Sequence, residues 1–108
     1  MKIVGITACP TGIAHTYITK EKLIGAAKAR GHSCRIETQG SIGAEDALTP
    51  EEIREADVVI LAVDVKIAGE DRFKGKPTVK IPTETVMQNP VGLIDMIEKK
   101  LRDAGKIS

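Results

Sequence analysis

Short apolar runs alternate along this chain with stretches in which apolar residues return every three or four positions, the pattern of parallel strands joined by crossover helices. Residues 2–8, KIVGITA, read as the first strand. A helix over about residues 15–30 follows, with Tyr17, Leu23, Ile24 and Ala27 on one third of its circumference. Gly31 is its stop, because the left-handed residue after a last turn is most easily glycine. In a second strand, Ser33–Thr38, Cys34 and Ile36 face the core and alternate with Arg35 and Glu37, as in a less buried strand. Residues 39–43 read as loop.

Thr49-Pro50-Glu51-Glu52 starts a short helix, with threonine as N-cap, proline at the first helical position and acidic residues in the first turn. Ile53 and Ala56 give it a buried side. Val58–Val63 is continuous and β-branched, which predicts a central strand covered on both faces. A long loop from Asp64 to Lys76 leads to a fourth strand, Thr78–Ile81, bounded by Pro77 and Pro82. Pro82 and Pro90 keep the segment between them short. A final helix of about residues 91–104 carries Leu93, Ile94, Ile97 and Leu101 on one stripe and closes at Gly105.

A length of 108 residues supports one hydrophobic core unit, so residues 1–108 are read as a single α/β domain of Rossmann-like, doubly wound type. Tyr17 and Phe73 are the only aromatics, so the core must be aliphatic, and base stacking on a nucleic acid has little to work with. The net charge of +1, with both signs scattered along the chain, offers no basic surface for a nucleic acid. No run approaches the roughly 20 apolar residues of a membrane span and no signal-peptide pattern is visible, so a cytoplasmic location is expected. Cys9 and Cys34 form neither a CxxC pair nor a zinc set; thiols, no metal and no cofactor are the expectation.

Cys9 stands where the first strand hands over to a helix. Such a turn gathers backbone N–H groups at a positive helix end, which favours a thiolate and can hold the oxyanions of a phosphoryl group on the sulfur. The candidate cradle is Pro10, Thr11, Gly12, Ile13, Ala14, His15 and Thr16. Pro10 stiffens the turn, Gly12 permits close approach, Thr11 and Thr16 add hydroxyls, and His15 adds a charge or a hydrogen bond. Small phosphatases use a Cys-x5-Arg loop of this size, but here His15 takes the arginine's place. Without a guanidinium fork and a leaving-group acid, ester hydrolysis should be feeble, whereas transfer from an activated donor such as phosphohistidine needs less help.

Three classes stand open on the residues alone: a phosphocarrier transferase, a low-molecular-weight phosphatase or thiol reductase on a similar loop, and a non-catalytic regulatory or nucleotide-binding module. The second lacks the arginine and a resolving cysteine, and the third lacks a dinucleotide fingerprint or Walker lysine. Elsewhere, Cys34 reads as core packing, His32 as exposed and Asp64 as a solvated strand end. Lys66, Arg72, Lys74 and Lys76 read as a solvated charged loop.

Ala8-Cys9-Pro10-Thr11-Gly12-Ile13-Ala14-His15-Thr16, then Glu37-Thr38-Gln39-Gly40, Ala56-Asp57-Val58-Val59-Ile60 and Arg72-Phe73-Lys74-Gly75-Lys76 occur in this order. Together they resemble the enzyme IIB component of fructose-type sugar phosphotransferase systems, from residue 2 to about 100. The resemblance implies a three-layer α/β/α fold with a four-stranded parallel sheet. It further implies that Cys9 takes a phosphoryl group from a phosphohistidine of enzyme IIA and passes it to a fructose-like sugar held by the membrane enzyme IIC. Association with the membrane would then run through IIC alone. Many relatives are fused to IIA or IIC, a pattern this sequence does not display, and its helix start Tyr17–Lys22 is more charged than is common.

Overall fold

A computed structural model of the chain describes residues 1–8, 13–40 and 43–105, with backbone only at 13–15, 40 and 43–45. Strand β1 (Lys2–Ala8) leads to helix α1 (Ile13–Ala29), then β2 (Ser33–Gly40) and β3 (Gly43–Glu45). Helix α2 (Pro50–Glu55) precedes β4 (Val58–Val63), a 3₁₀ turn at Glu70–Phe73 and β5 (Thr78–Ile81). Helices α3 (Thr83–Gln88) and α4 (Pro90–Asp103) complete the order.

The sheet runs β3-β2-β1-β4-β5. Its four long strands are parallel, as the resemblance implies, and β1 and β4 lie at the centre. The added strand β3 is antiparallel to β2, pairing Thr38 with Glu45 and Gly40 with Gly43. The stretch expected as loop at residues 39–43 is therefore partly strand. Its short polar sequence has no apolar alternation to announce it, and main-chain pairing at the sheet edge supplies what the side chains do not.

Alternate residues of the central strands feed two cores. Ile3, Ile36, Ile60 and Ala62 meet Leu23 and Ala27 of α1 and Ile94 and Ile97 of α4, so helices cover one face. Val4, Ile6, Val59 and Leu61 meet Leu48, Ile53, Ile67 and Phe73, so α2 and the loop after β4 cover the other. All six residues of β4 are buried, as a strand covered on both faces requires. Gly5 permits the close fit of β1 in the centre: a Cβ there would lie 2.3 Å from the Ile60 carbonyl oxygen and 3.1 Å from Ile36 Cδ1. Gly5→Ala is accordingly expected to cost about 1–3 kcal/mol, read as a lower urea midpoint at unchanged slope.

Local signals operate as the sequence suggests. Thr49 accepts from the Glu52 N–H at 3.1 Å while Glu52 accepts from the Thr49 N–H at 2.9 Å, a complete capping box with Pro50 at the first position. Gly31 and Gly105 end α1 and α4 with φ of 77° and 73°. The short segment between Pro82 and Pro90 holds α3, whose first residue is bound by the Asp64 carboxylate. The apolar stripe of α1 also differs from the expectation. Thr16 and Thr19 occupy its buried positions at the start and Tyr17 is only half-buried; the Thr19 hydroxyl donates to the Met87 sulfur at 3.8 Å.

At the sheet edge where the parallel strands begin, His32 is half-buried rather than exposed. Its Nδ1 lies 2.9 Å from the Met1 amino group and its Nε2 3.3 Å from Glu98. The start of β1 and the later half of α4 thus meet at this edge. Among the described residues, no helix is long and apolar enough to cross a membrane.

Candidate functional site

Ligands of open α/β sheets bind beyond the carboxyl ends of the strands. In this sheet that edge is the end of β1 at Ala8, between Gln39 of β2 and Val63 of β4 in register. Cys9, Pro10, Thr11 and Gly12 lie outside the described residues, as do the side chains of Ile13, Ala14 and His15. What the structure places is the frame on both sides of them. β1 ends at residue 8 and α1 begins at residue 13, so the segment spans the turn from a central strand into a helix N-terminus. The first turn of α1 carries no acidic side chain, which leaves the positive end of its dipole uncancelled.

Ala8 and the start of α1 are held in place from several directions. The Ala8 carbonyl accepts from the Asp64 N–H at 3.0 Å. Thr7, fully buried, donates its hydroxyl to the Thr16 carbonyl at 3.3 Å and so ties the first turns of α1 to the strand. Thr16, the last residue of the candidate cradle, is itself 4% exposed. Asp64 is more than a solvated strand end: its carboxylate accepts from the Thr83 N–H at 3.0 Å and the Thr83 hydroxyl at 2.5 Å, joining the end of β4 to the start of α3.

One layer below Ala8, on the face covered by α2 and the long loop, lies a polar group that sequence reasoning placed outside. Glu37 pairs in register with Ile6 and is only 1% exposed. Arg72 reaches it across the fold with a two-pronged bridge, Nη1 to Oε1 at 2.9 Å and Nη2 to Oε2 at 3.0 Å. The Leu48 N–H donates to Oε1 at 2.9 Å and Gln39 Nε2 to Oε2 at 2.8 Å. Burial alone would raise the Glu37 carboxyl, but the hydrogen bonds from Arg72, Gln39 and Leu48 with the guanidinium charge outweigh it and hold it below the usual carboxylate range.

Gln39, in register with Ala8, extends the same network. Its Nε2 donates to the Ala68 carbonyl at 3.0 Å while its Oε1 accepts from the Ala68 N–H at 2.9 Å, so one side-chain amide pairs with the loop backbone as a strand neighbour would. Arg72 Nε donates to the Gly69 carbonyl at 2.7 Å, and the guanidinium lies 5.2 Å from the Phe73 ring centroid. Arg72 is therefore committed to Glu37 and its own loop and does not stand in for the arginine that the Cys9 loop lacks. The alternation of Arg35 and Glu37 pointed to a solvated face and Gln39 read as loop; the presence of Glu37-Thr38-Gln39-Gly40 and Arg72-Phe73 among the motifs that carry the resemblance was the signal available.

Cys34 sits half-buried against the helix-covered core, and burial pushes its thiol up to about 12, so it stays protonated and inert. With Cys9 leaving a strand toward a helix N-terminus, iodoacetamide is expected to modify Cys9 at least ~10²-fold faster than Cys34 at neutral pH. Peptide mapping over a time course checks this, and equal rates for the two thiols would contradict the activated-thiolate reading.

Residues 4–96 match the family described as the phosphotransferase system (PTS), lactose/cellobiose specific IIB subunit. The chain is 45% identical over 100 residues to the PTS system fructose-like EIIB component 2 of Escherichia coli strain K12, covering 93% of this chain and 94% of that protein. It is 51% identical over 104 residues to the PTS system fructose-specific EIIB'BC component of Xanthomonas campestris pv. campestris, covering 96% of this chain and 17% of that longer protein. The solution structure of the enzyme IIB subunit of a PTS system from Escherichia coli K12 superposes with a TM-score of 0.90 at 33% identity, covering 96% of each chain.

Proposed function

This chain belongs to the IIB components of the sugar phosphotransferase systems, and on that premise we propose that Cys9 is its phosphoryl acceptor. The observation that carries the reading is the location of residue 9, one step past a central strand and four residues before a 17-residue helix with no acid in its first turn. Amides at that helix end favour the thiolate and the charge that develops on phosphorus in both transfers.

In the first transfer the Cys9 thiolate attacks the phosphorus of a phosphohistidine on an enzyme IIA partner. The S–P bond forms as the P–N bond breaks, and the imidazole leaves with the electron pair and takes a proton. In the second, a hydroxyl of a fructose-like sugar held by membrane enzyme IIC attacks the phosphorus and gives up its proton. The S–P bond breaks and the thiolate returns. Thr11, Gly12, Ile13, Ala14, His15 and Thr16 offer their N–H groups to the phosphoryl oxygens, joined by the Thr11, Thr16 and His15 side chains, while Pro10, which has no N–H, stiffens the turn. Because both partners are proteins, apolar contact near this edge is useful: Ile18 on α1 and Val65 just past β4 are 46% and 40% exposed. The fused BC relative supports a membrane partner, reached from the cytoplasmic side.

Fructose is favoured over lactose or cellobiose because proteins named for fructose resemble this chain at about half identity over nearly its whole length. The test is intact-mass measurement after incubation with phosphoenolpyruvate and the upstream phosphotransfer proteins. One added phosphoryl group is expected, removed on addition of IIC membranes with fructose and retained with cellobiose. No mass gain from the energised donors would overturn the reading.

A further inference from the structure

A buried ion pair is an unusual way to secure a loop. Taking the Glu37 carboxylate and most of the Arg72 side chain, which keeps 30% exposure, out of water is expensive, and apolar residues of similar volume often hold a fold as well or better. Yet Glu37 and Arg72 meet on the apolar face of an aliphatic sheet, 35 residues apart in sequence, with Glu37 only 1% exposed and accepting four hydrogen bonds. Their location gives this arrangement a purpose other than stability. Gln39, bound to both Glu37 and Ala68, is the register partner of Ala8, and Ala8 is the residue from which Cys9 departs. On its other side Ala8 is held by the N–H of Asp64, at the root of the loop that Arg72 and Gln39 fasten. Directional hydrogen bonds fix that edge to one geometry, which non-directional apolar packing does not.

We propose that Glu37, Gln39 and Arg72 form a positioning latch for the reacting thiol: they fix the edge of the sheet beside Ala8 so that the sulfur and the amides of the following turn are aligned for phosphoryl transfer. The proposal rests on Cys9 being the acceptor. None of the three touches the phosphoryl group; they act through the strand end, where small displacements are costly to a reaction that depends on alignment.

The test replaces the pair by apolar side chains, Glu37→Leu with Arg72→Met, in the full chain. The double variant is expected to fold with a thermal midpoint at or above that of the unaltered protein. Its phosphoryl uptake from the energised upstream proteins should fall by about tenfold to a hundredfold, with the loss in kcat rather than in KM for the donor protein. The pH profile of Cys9 alkylation should move to higher pH, a readout that a purely structural role would leave alone. Gln39→Met, which keeps the ion pair but cuts the tie to Ala68 and one of the four hydrogen bonds to Glu37, should show a smaller loss of the same kind and decides the matter if the double variant does not fold. A folded variant with unaltered transfer rate and alkylation profile overturns the latch. Should the unaltered protein take up no phosphoryl group, the acceptor reading itself fails; the alkylation profiles then still decide whether the latch governs the thiol.

Discussion

Cys9→Ser is expected to lower phosphoryl uptake by about 10³-fold or more while leaving the unfolding midpoint unchanged. The size of the effect follows from chemistry at one atom. A helix N-terminus brings a thiol toward neutrality, but an alkyl hydroxyl starts far too high for the same field to ionise it. The substitution adds no bulk and falls between the end of β1 and the start of α1. Intact-mass measurement with the energised donors reads the loss, and circular dichroism reads the fold. Labelling of the serine variant at another residue would show that the acceptor lies elsewhere.

The second large effect is on stability. Arg72→Ala leaves the Glu37 carboxylate buried without its counter-charge, for an expected loss of about 3–5 kcal/mol. For a domain of this size that is a fall in thermal midpoint of more than about 10 °C. The pH dependence carries a sign that isolates the cause. In the unaltered protein the folded Glu37 carboxyl lies below its ordinary value of 4.5, so the pair's contribution is full above that value and fades as pH falls through the folded one. Without Arg72 the largest influence on Glu37 is burial, which raises the carboxyl and favours its neutral form. The gap between the two proteins should therefore narrow as pH drops from neutrality toward and below about 4. Parallel urea titrations across that range measure it; a gap that stays constant would mean that Glu37 is not the group responsible.

Much of the architecture was legible because it follows from local chemistry. The β-branched run Val58–Val63 had to be a doubly covered strand, and Thr49-Pro50-Glu51-Glu52 had to begin a helix. The stripe Leu93, Ile94, Ile97 and Leu101 had to lie on a sheet, and all four are buried. What escaped was non-local. Strand β3 exists through main-chain pairing with β2, α3 is tied to a carboxylate 19 residues earlier, and His32 is half-buried beside Glu98, 66 residues on. Glu37 is the sharpest case: an alternating polar position on a strand reads as solvated until a partner 35 residues away arrives to cover it. Of the candidate site, the handover from β1 to α1 on either side of residues 9–12 was legible. Its supporting ties through Thr7, Asp64 and Gln39 were not, because each is made between segments that only the fold brings together.

The contact joining Met1, His32 and Glu98 has a consequence for how such a unit is carried inside longer polypeptides. Both the leading end of β1 and the trailing turns of α4 depart from the rim opposite Ala8. A tether attached at either end leaves the rim beyond Ala8 unobstructed, so the unit can be strung beside a larger protein like a bead on a cord and still turn that side outward.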